Sequence, residues 1–237
     1  MLIGPRSREQ LARLNTVWNQ GDHVLVTGGT GSGKTLLARQ LDEIRLRRGG
    51  SVVVFVCKLQ PDETITEHYK GWTRWTTWKR NPLLTEQRIL FWPKVEKLTP
   101  SQAVNVMRRE FSYALDQIGK TGKWTVHIDE GLFVSSPRYL GLSDVLGFMY
   151  ALMRSSKGTM ITLAQRPAHL PVAIYPNLSH AFVGRASEVP DLKRLADMDG
   201  ATNSKVLQQM IANNGKHDFI WIPIGNDWEP ERVNLRM

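Results

Sequence analysis

The chain has 237 residues, 41% of them hydrophobic, which allows one large α/β domain or two small ones with an ordinary core. Lys and Arg outnumber Asp and Glu by 31 to 22, and the net charge of +9 suits a polyanionic partner as well as it suits a basic soluble protein. The single cysteine, Cys57, excludes a disulfide framework and a cysteine-rich zinc site. Without a signal peptide or an apolar run of membrane length, we expect a cytoplasmic protein that does not insert into membranes by itself.

The first predicted elements surround a glycine-rich loop. An amphipathic helix is predicted over 6–19, and an apolar strand, HVLVT, follows at His23–Thr27. The strand runs into GGTGSGKT, and a helical pattern continues over 36–48. The order strand, glycine-rich loop, helix is the one that the phosphate-binding P-loop requires.

The P-loop pattern predicts a nucleotide site. Glycines let successive backbone N–H groups face the phosphates, and the helix N-terminus adds its positive dipole. Lys34 is expected to reach the β- and γ-phosphates of ATP, and Thr35 to hold Mg²⁺. The predicted nucleotide-binding residues are Gly28, Gly29, Thr30, Gly31, Ser32, Gly33, Lys34 and Thr35.

A tryptophan-rich basic segment follows a second buried strand at 51–57. We interpret about 60–98 as an insertion in a single ATPase domain that spans 1–237, with an added edge strand at 88–92. Aromatic residues interleaved with basic ones can stack on nucleic acid, or can pack the insertion onto the domain or into a subunit interface. Packing is the interpretation that we favour. The tryptophans are Trp72, Trp75, Trp78 and Trp92.

The rest of the chain alternates strands and helices. A capping box at Thr99 and Gln102 predicts a helix that ends at Gly119, and a second helix is expected over 143–156 with Ser143 as its cap. The fold class is therefore α/β, a P-loop NTPase of the additional-strand catalytic-glutamate type (RecA-like), with a mostly parallel central sheet flanked by helices. The further strands are predicted at 124–128, 159–164, 180–184 and 219–222.

Three polar residues follow predicted strands, where α/β sheets bind their ligands. Asp129 fits the acid that holds Mg²⁺, and Glu130 beside it is the expected general base for the attacking water. Gln165 is placed to contact the γ-phosphate or to orient that water. An Asp-Glu pair favours a hydrolase over a nucleotide kinase, which needs no such base.

Hydrolysis also needs a positive charge on the transition state, often an arginine of the next subunit. Arg154, Arg166 and Arg185 are candidates, and each can equally be a structural or solvated arginine. His127 lies inside a predicted strand and is interpreted as a core histidine. Arg138 is a candidate contact to a DNA backbone, although a surface-turn arginine is the simpler interpretation.

Taken together, these motifs resemble the FtsK/HerA superfamily of ring-forming DNA-pumping ATPases. The P-loop, HIDE at 127–130 and RSSKGTMITLAQRP at 154–167 carry the likeness, and the Gln-Arg-Pro ending is its specific part. Many family members have the motif Asp-x-Lys after the corresponding strand. In this chain the segment reads FVCK (55–58), so the acid is absent and only the lysine, Lys58, matches. The likeness covers most of the chain outside about 60–98.

The resemblance implies a homo-oligomeric ring, a pentamer or hexamer, with double-stranded DNA in its pore and ATP sites between subunits. By position, Arg154 matches the residue that serves some members as the trans-acting finger. The compact size resembles viral and phage genome-packaging ATPases, which implies a host-cytoplasmic enzyme that can associate with the virion and dock at a capsid vertex. Two alternatives stay open: a plasmid, conjugative or repair-type DNA pump, and a non-motor ATP-dependent assembly switch.

Overall fold

The computed structural model describes residues 5–79, 87–198, 204–225 and 229–234. Strands within these ranges form one nine-stranded sheet. In chain order they are β1 (His23–Thr27), β2 (Ser51–Phe55), β3 (Thr73–Trp75), β4 (Arg88–Phe91), β5 (Trp124–Ile128), β6 (Thr159–Ala164), β7 (Leu178–Val183), β8 (Asp218–Pro223) and β9 (Glu231–Asn234).

The strand order is β3-β4-β2-β5-β6-β1-β7-β8-β9. Neighbours from β1 to β7 pair in parallel, whereas β8 is antiparallel to β7 and β9 is antiparallel to β8. β6 lies between β1 and β5, so an additional strand separates the P-loop strand from the one that ends before Asp129. This order confirms the predicted fold class, and it brings the carboxyl ends of β1, β5 and β6 to one edge of the sheet.

Helices cover both faces of the sheet. Leu25 of β1 is fully buried in the cluster that includes α4 and α6, while its neighbours Val24 and Val26 are buried against α1 and α2. Burial on both faces explains why these three central residues of the strand are all apolar. The α-helices within the described residues are α1 (Pro5–Val17), α2 (Lys34–Arg47), α3 (Glu63–His68), α4 (Pro100–Thr121), α5 (Gly131–Ser135), α6 (Ser143–Leu152), α7 (Val189–Ala196) and α8 (Ser204–Ala212).

Several predicted boundaries were wrong. β4 is not the edge strand, because β3 pairs with its outer side. The capping box of Thr99 and Gln102 is present, but α4 passes through Gly119 and ends at Gly122. Gly122 has φ 63°, and a Cβ there would meet the Ser156 carbonyl oxygen at 2.4 Å, so the helix ends where only glycine fits.

The start of α6 and the last strand also differ from the predictions. Leu142, not Ser143, precedes α6, and no side chain caps the helix there. The backbone N–H of Leu142 instead donates to the Val134 carbonyl at 2.9 Å, which fixes this entry to the helix. β9 (Glu231–Asn234) follows the last of the predicted strands and was not itself predicted.

The tryptophans of 60–98 pack inside the protein, as favoured. Trp78 is 6% exposed, and its ring centroid lies 5.6 Å from that of Phe91 and 5.7 Å from that of Trp124. Basic side chains from the same chain cover other rings: the Arg74 guanidinium lies 4.7 Å from the Trp92 centroid, for example. The interleaved aromatic and basic residues therefore pack against each other, which leaves little ring surface for stacking on nucleic acid.

Candidate functional site: a P-loop cleft

The P-loop has the backbone that its glycines predict. Gly31 and Gly33 have φ of 72° and 96°, in the left-handed region that favours glycine. A Cβ on Gly28 would lie 2.7 Å from the Ser32 Oγ, so the loop is too tight for a side chain there. α2 begins at Lys34, directly after the loop, which leaves the N–H groups of its first turn available to phosphate oxygens.

Lys34 lies across the loop that it belongs to. Its Nζ donates to the carbonyl oxygens of Gly28 and Gly29 at 2.7 and 3.0 Å. Burial lowers the pKa of the Lys34 ammonium, while the carboxylates of Glu130 and Asp129 oppose that shift. The two carbonyl oxygens therefore hold the ammonium beside the predicted phosphate site. Because they are neutral, they attract the ammonium less strongly than an anionic triphosphate would.

A cavity of about 430 Å³ opens in front of the loop and α2. Thr35 and Asp129 both line it, so the structure brings the two predicted metal-binding residues to one space. A hydroxyl and a carboxylate are oxygen ligands of the kind that Mg²⁺ prefers, and the donor set therefore fits this ion. Burial raises the pKa of Asp129, and electrostatic interactions with His127, Lys58 and Lys34 oppose that shift.

Glu130 and Gln165 meet at the carboxyl ends of β5 and β6. The Gln165 Nε2 donates to Glu130 Oε2 at 3.4 Å, and the Thr30 hydroxyl donates to Gln165 Oε1 at 3.3 Å. Gln165 thereby connects the P-loop to the predicted general base. The other oxygen of Glu130 accepts from the Leu132 N–H at 3.4 Å and caps α5, which fixes the carboxylate.

Burial also raises the pKa of the Glu130 carboxyl; the Leu132 N–H and the Lys34 cation lower it but do not cancel the effect. A carboxylate with a raised pKa is a stronger base once deprotonated, which suits the abstraction of a proton from water. Burial therefore raises the pKa of both members of the predicted pair, Asp129 and Glu130.

Arg154 lies at the opposite end of the sheet. Its carbonyl oxygen is 3.2 Å from the position that a Cβ on Gly21 would take, and Gly21 precedes β1. The length of β1, about 16 Å for a five-residue strand, separates this end from the P-loop. Arg154 is exposed, and the structure does not bring it to the cleft of its own chain.

The other two candidate arginines differ from each other. The Arg166 Nε donates to Asp191 Oδ2 at 2.7 Å, and Asp191 also accepts from the Ala168 N–H, so this arginine ties the end of β6 to α7. Arg185 is exposed and follows Gly184, whose N–H donates to the Thr27 carbonyl beside the P-loop at 2.7 Å. Arg185 therefore lies on the same edge of the sheet as its own P-loop.

Arg138 lies on a separate surface cavity of about 610 Å³, between the turn after α5 and the 3₁₀ segments Pro167–His169 and Val172–Asn177. The Arg138 side chain is exposed, which is consistent both with a contact to a DNA backbone and with an ordinary surface-turn arginine.

Sequence reasoning missed one wall of the cleft. Lys58, Asp62 and α3 face the P-loop across the cavity, although all of them lie in or next to the segment interpreted as an insertion. In the sequence, only the position of Lys58 in FVCK suggests a role for it. For Asp62, the sole indication is its spacing of four residues from Lys58.

A buried polar cluster lies behind that wall. The His127 Nδ1 contacts Asp42 Oδ2 at 3.0 Å and the Tyr69 hydroxyl at 3.2 Å, and the hydroxyl donates to Asp42 Oδ2 at 3.1 Å. His127 is fully buried, which confirms the predicted core histidine; its Nε2 lacks a hydrogen-bond partner among the described residues. The cluster joins α2, β5 and the residue after α3.

Comparison with known proteins gives one family model and many structures. The model of the sigma-54 interaction domain matches residues 3–76, less than a third of the chain, a stretch that contains the P-loop. No curated protein matches significantly. Among the described residues, no helix combines the length and the apolar character needed to span a bilayer.

The DNA-packaging ATPase B204 of Sulfolobus turreted icosahedral virus is similar in structure, with a TM-score of 0.64 and 15% identity over 92% of this chain and 100% of that one. VirB4 of Thermoanaerobacter pseudethanolicus matches with a TM-score of 0.59 and 10% identity, covering 91% of this chain and 89% of that one.

The pCW3 conjugation coupling protein TcpA matches with a TM-score of 0.54 and 16% identity, covering 93% and 60% of the two chains. At these identities the likeness concerns the fold. The chain shares the α/β P-loop fold of these packaging and conjugation proteins, which is the fold class that the sequence predicted.

Proposed function

We propose that the chain is an ATPase that translocates double-stranded DNA and packages a viral genome into a capsid. One observation carries the ATPase part of the proposal: Gln165 links the P-loop to Glu130 at the same edge of the sheet, so the groups for nucleotide binding and for hydrolysis converge. The fold shared with B204 of Sulfolobus turreted icosahedral virus 2, a genome-packaging NTPase whose structures include complexes with AMPPCP and ATP-gammaS, supports this function.

The chemistry follows from the cleft. The backbone N–H groups of the P-loop and the Lys34 ammonium bind the phosphates, and Thr35 and Asp129 would hold Mg²⁺. When bound, the ion would neutralise phosphate charge. Glu130 takes a proton from the attacking water while Gln165 orients that water, and the products are ADP and phosphate.

Arg154 acts in a neighbouring subunit under this proposal, because the length of β1 separates it from its own cleft. Two large apolar side chains of the helix just before it are exposed, Phe148 by 62% and Leu152 by 46%. Exposed apolar residues of this size often mark protein contacts. We therefore place a subunit contact at α6, in a pentameric or hexameric ring.

DNA would be gripped through its phosphates, which makes the grip independent of sequence and sensitive to salt. The net charge of +9 favours such a partner, and Arg138 is our candidate for a backbone contact. A viral packaging enzyme of this kind works in the host cytoplasm and docks at a capsid vertex.

The structural likeness to TcpA supports one alternative, a conjugative or plasmid DNA pump with the same chemistry. A non-motor assembly switch is the other alternative. The contact of Gln165 with Glu130 argues against the switch, because an arrangement that orients water serves hydrolysis rather than binding alone.

The test is the steady-state ATPase rate with and without long double-stranded DNA, at low and moderate salt, with Glu130→Gln as the blank. We expect several-fold stimulation by DNA that fades as the salt concentration rises. Slow turnover that DNA does not change at either salt concentration would support the switch and contradict the motor. Packaging and conjugation are then separated by which partner, an empty capsid or a conjugation complex, the ring binds.

A further inference from the structure

Lys58 lies in the nucleotide cleft, opposite the P-loop. The cavity of about 430 Å³ has P-loop residues and α2 on one side, Lys58 and Asp62 on the other, and Asp129 between them. Two lysines therefore face the same space, and only Lys34 belongs to the P-loop motif.

Lys58 is loosely held. Its Nζ lies 3.6 Å from Asp62 Oδ2, well beyond the 2.7–2.9 Å of a strong charge-assisted hydrogen bond, and its side chain is 46% exposed. Asp62, in contrast, is fixed, since its other oxygen caps α3 by accepting from the Ile65 N–H at 3.1 Å. Lys58 can leave this partner without disturbing the helix.

The wall that carries Lys58 is well anchored. Ile65 of α3 is buried, and Tyr69 after α3 donates to Asp42 of α2. The Arg39 Nε of α2 donates to the His68 carbonyl at 2.9 Å. α3 is thus tied to the helix that follows the P-loop, so the distance across the cleft is set by packing.

The charge of Lys58 already acts on the catalytic groups. Burial is the largest cause of the raised pKa values of Asp129 and Glu130, and the Lys58 ammonium opposes it at both carboxyls. The same ammonium contributes to the lowered pKa of Lys34. Lys58, Lys34 and Asp129 also line one cavity, so a terminal phosphate bound in that cavity would lie within the field of the Lys58 ammonium.

We infer that Lys58 is a second phosphate-binding lysine, which exchanges Asp62 for the terminal phosphate of ATP and so distinguishes ATP from ADP. The inference rests on the proposed ATPase function. It gives the segment after β2 a role in the enzyme: the cleft senses the nucleotide through a side chain on the wall opposite the P-loop.

The experiment measures the affinity of the full chain for AMPPCP and for ADP, each with Mg²⁺. Lys58→Met keeps the apolar stem and removes the charge. We expect it to raise the Kd of AMPPCP at least tenfold and that of ADP less than threefold. Asp62→Asn removes the competing carboxylate but keeps a good helix cap, so AMPPCP should bind as tightly as to the wild type, or more tightly.

Lys120→Met is the matched control. Lys120 also pairs with an aspartate four residues away, Asp116, and is exposed on α4. It should change neither affinity. The role of Lys58 would be overturned if Lys58→Met lost equal affinity for AMPPCP and ADP, or lost affinity for neither. It would also be overturned if Asp62→Asn lost as much affinity for AMPPCP as Lys58→Met does. A wild-type chain that binds neither nucleotide would instead overturn the ATPase proposal, and this inference with it.

Discussion

The side-chain amide of Gln165 donates to the carboxylate of Glu130 at 3.4 Å, across the edge of the sheet where β5 and β6 end. The contact holds one oxygen of the base, and the N–H of Leu132 holds the other. Contacts at both oxygens restrict the orientation of Glu130, which suits its proposed role as general base.

Gln165→Glu places a second carboxylate beside Glu130. Because like charges disfavour ionisation, the pKa of Glu130 should rise, and the acid limb of the kcat–pH profile should move to higher pH. Gln165→Ala removes the contact without adding charge, and should lower kcat about 10- to 100-fold with little change in KM. An acid limb at the same pH in Gln165→Glu and the wild type would show that the two residues do not interact.

In the wild type, burial raises the pKa of Glu130 above its ordinary 4.5. The base works in its deprotonated form, so kcat should be flat above the raised pKa and fall tenfold for each pH unit below it. Glu130→Gln should retain nucleotide binding and lose at least ~100-fold in turnover. Normal turnover in this variant would assign the base to another residue.

Lys34→Ala should abolish the stabilisation of the protein by nucleotide. A ligand present at 100 times its Kd stabilises the folded state by about 2.7 kcal/mol, and a chain that no longer binds gains nothing. The measurement is the shift in Tm on adding AMPPCP and Mg²⁺. Lys120→Ala, which changes an exposed lysine of α4, should show the full shift.

A mixing experiment tests whether Arg154 acts in trans. Arg154→Ala and Glu130→Gln should each be inactive in DNA-stimulated hydrolysis, but a mixture of the two should regain part of the activity. A mixed contact can combine the intact Glu130 of one subunit with the intact Arg154 of the other. If Arg154 served its own subunit or only the fold, the mixture would stay as inactive as its components.

Trp78→Ala should destabilise the protein by about 3–5 kcal/mol, since it removes a buried ring that contacts three other aromatic rings. Tyr113→Ala, at a side chain 39% exposed on α4, should cost less than about 1 kcal/mol. Chemical denaturation gives both values. DNA affinity measured where Trp78→Ala is still folded should match the wild type, because the ring is inside the protein; a selective loss of affinity would contradict its structural role.

The sequence predicted the parts of the cleft that are built locally. The P-loop is one continuous segment, and Asp129, Glu130 and Gln165 each follow an apolar strand directly, so their meeting at one edge could be inferred from a parallel sheet alone. The place of Arg154 at the far end follows from the same strand directions. The burial of the tryptophans could be favoured from their size.

The opposite wall could not be predicted in the same way. The positions of Lys58 and Asp62 depend on how α3 packs against α2, and that packing is fixed by Tyr69 and Asp42, which are 27 residues apart in sequence. β3, only three residues long, is recognisable through its pairing with β4 rather than through any pattern of its own. Contacts between distant segments leave no local signature.

The separation of Arg154 from the P-loop by the length of a strand has a consequence for symmetry. In the proposed ring, Arg154 of each copy reaches the cleft of the next copy, so the contact joins two different surfaces, unlike the reciprocal contact of a two-fold dimer. Copies joined this way all point in the same rotational direction, and the assembly closes only as a cyclic ring whose two faces differ. Such a ring has a built-in front and back, which suits the one-way movement of DNA that the proposed function requires.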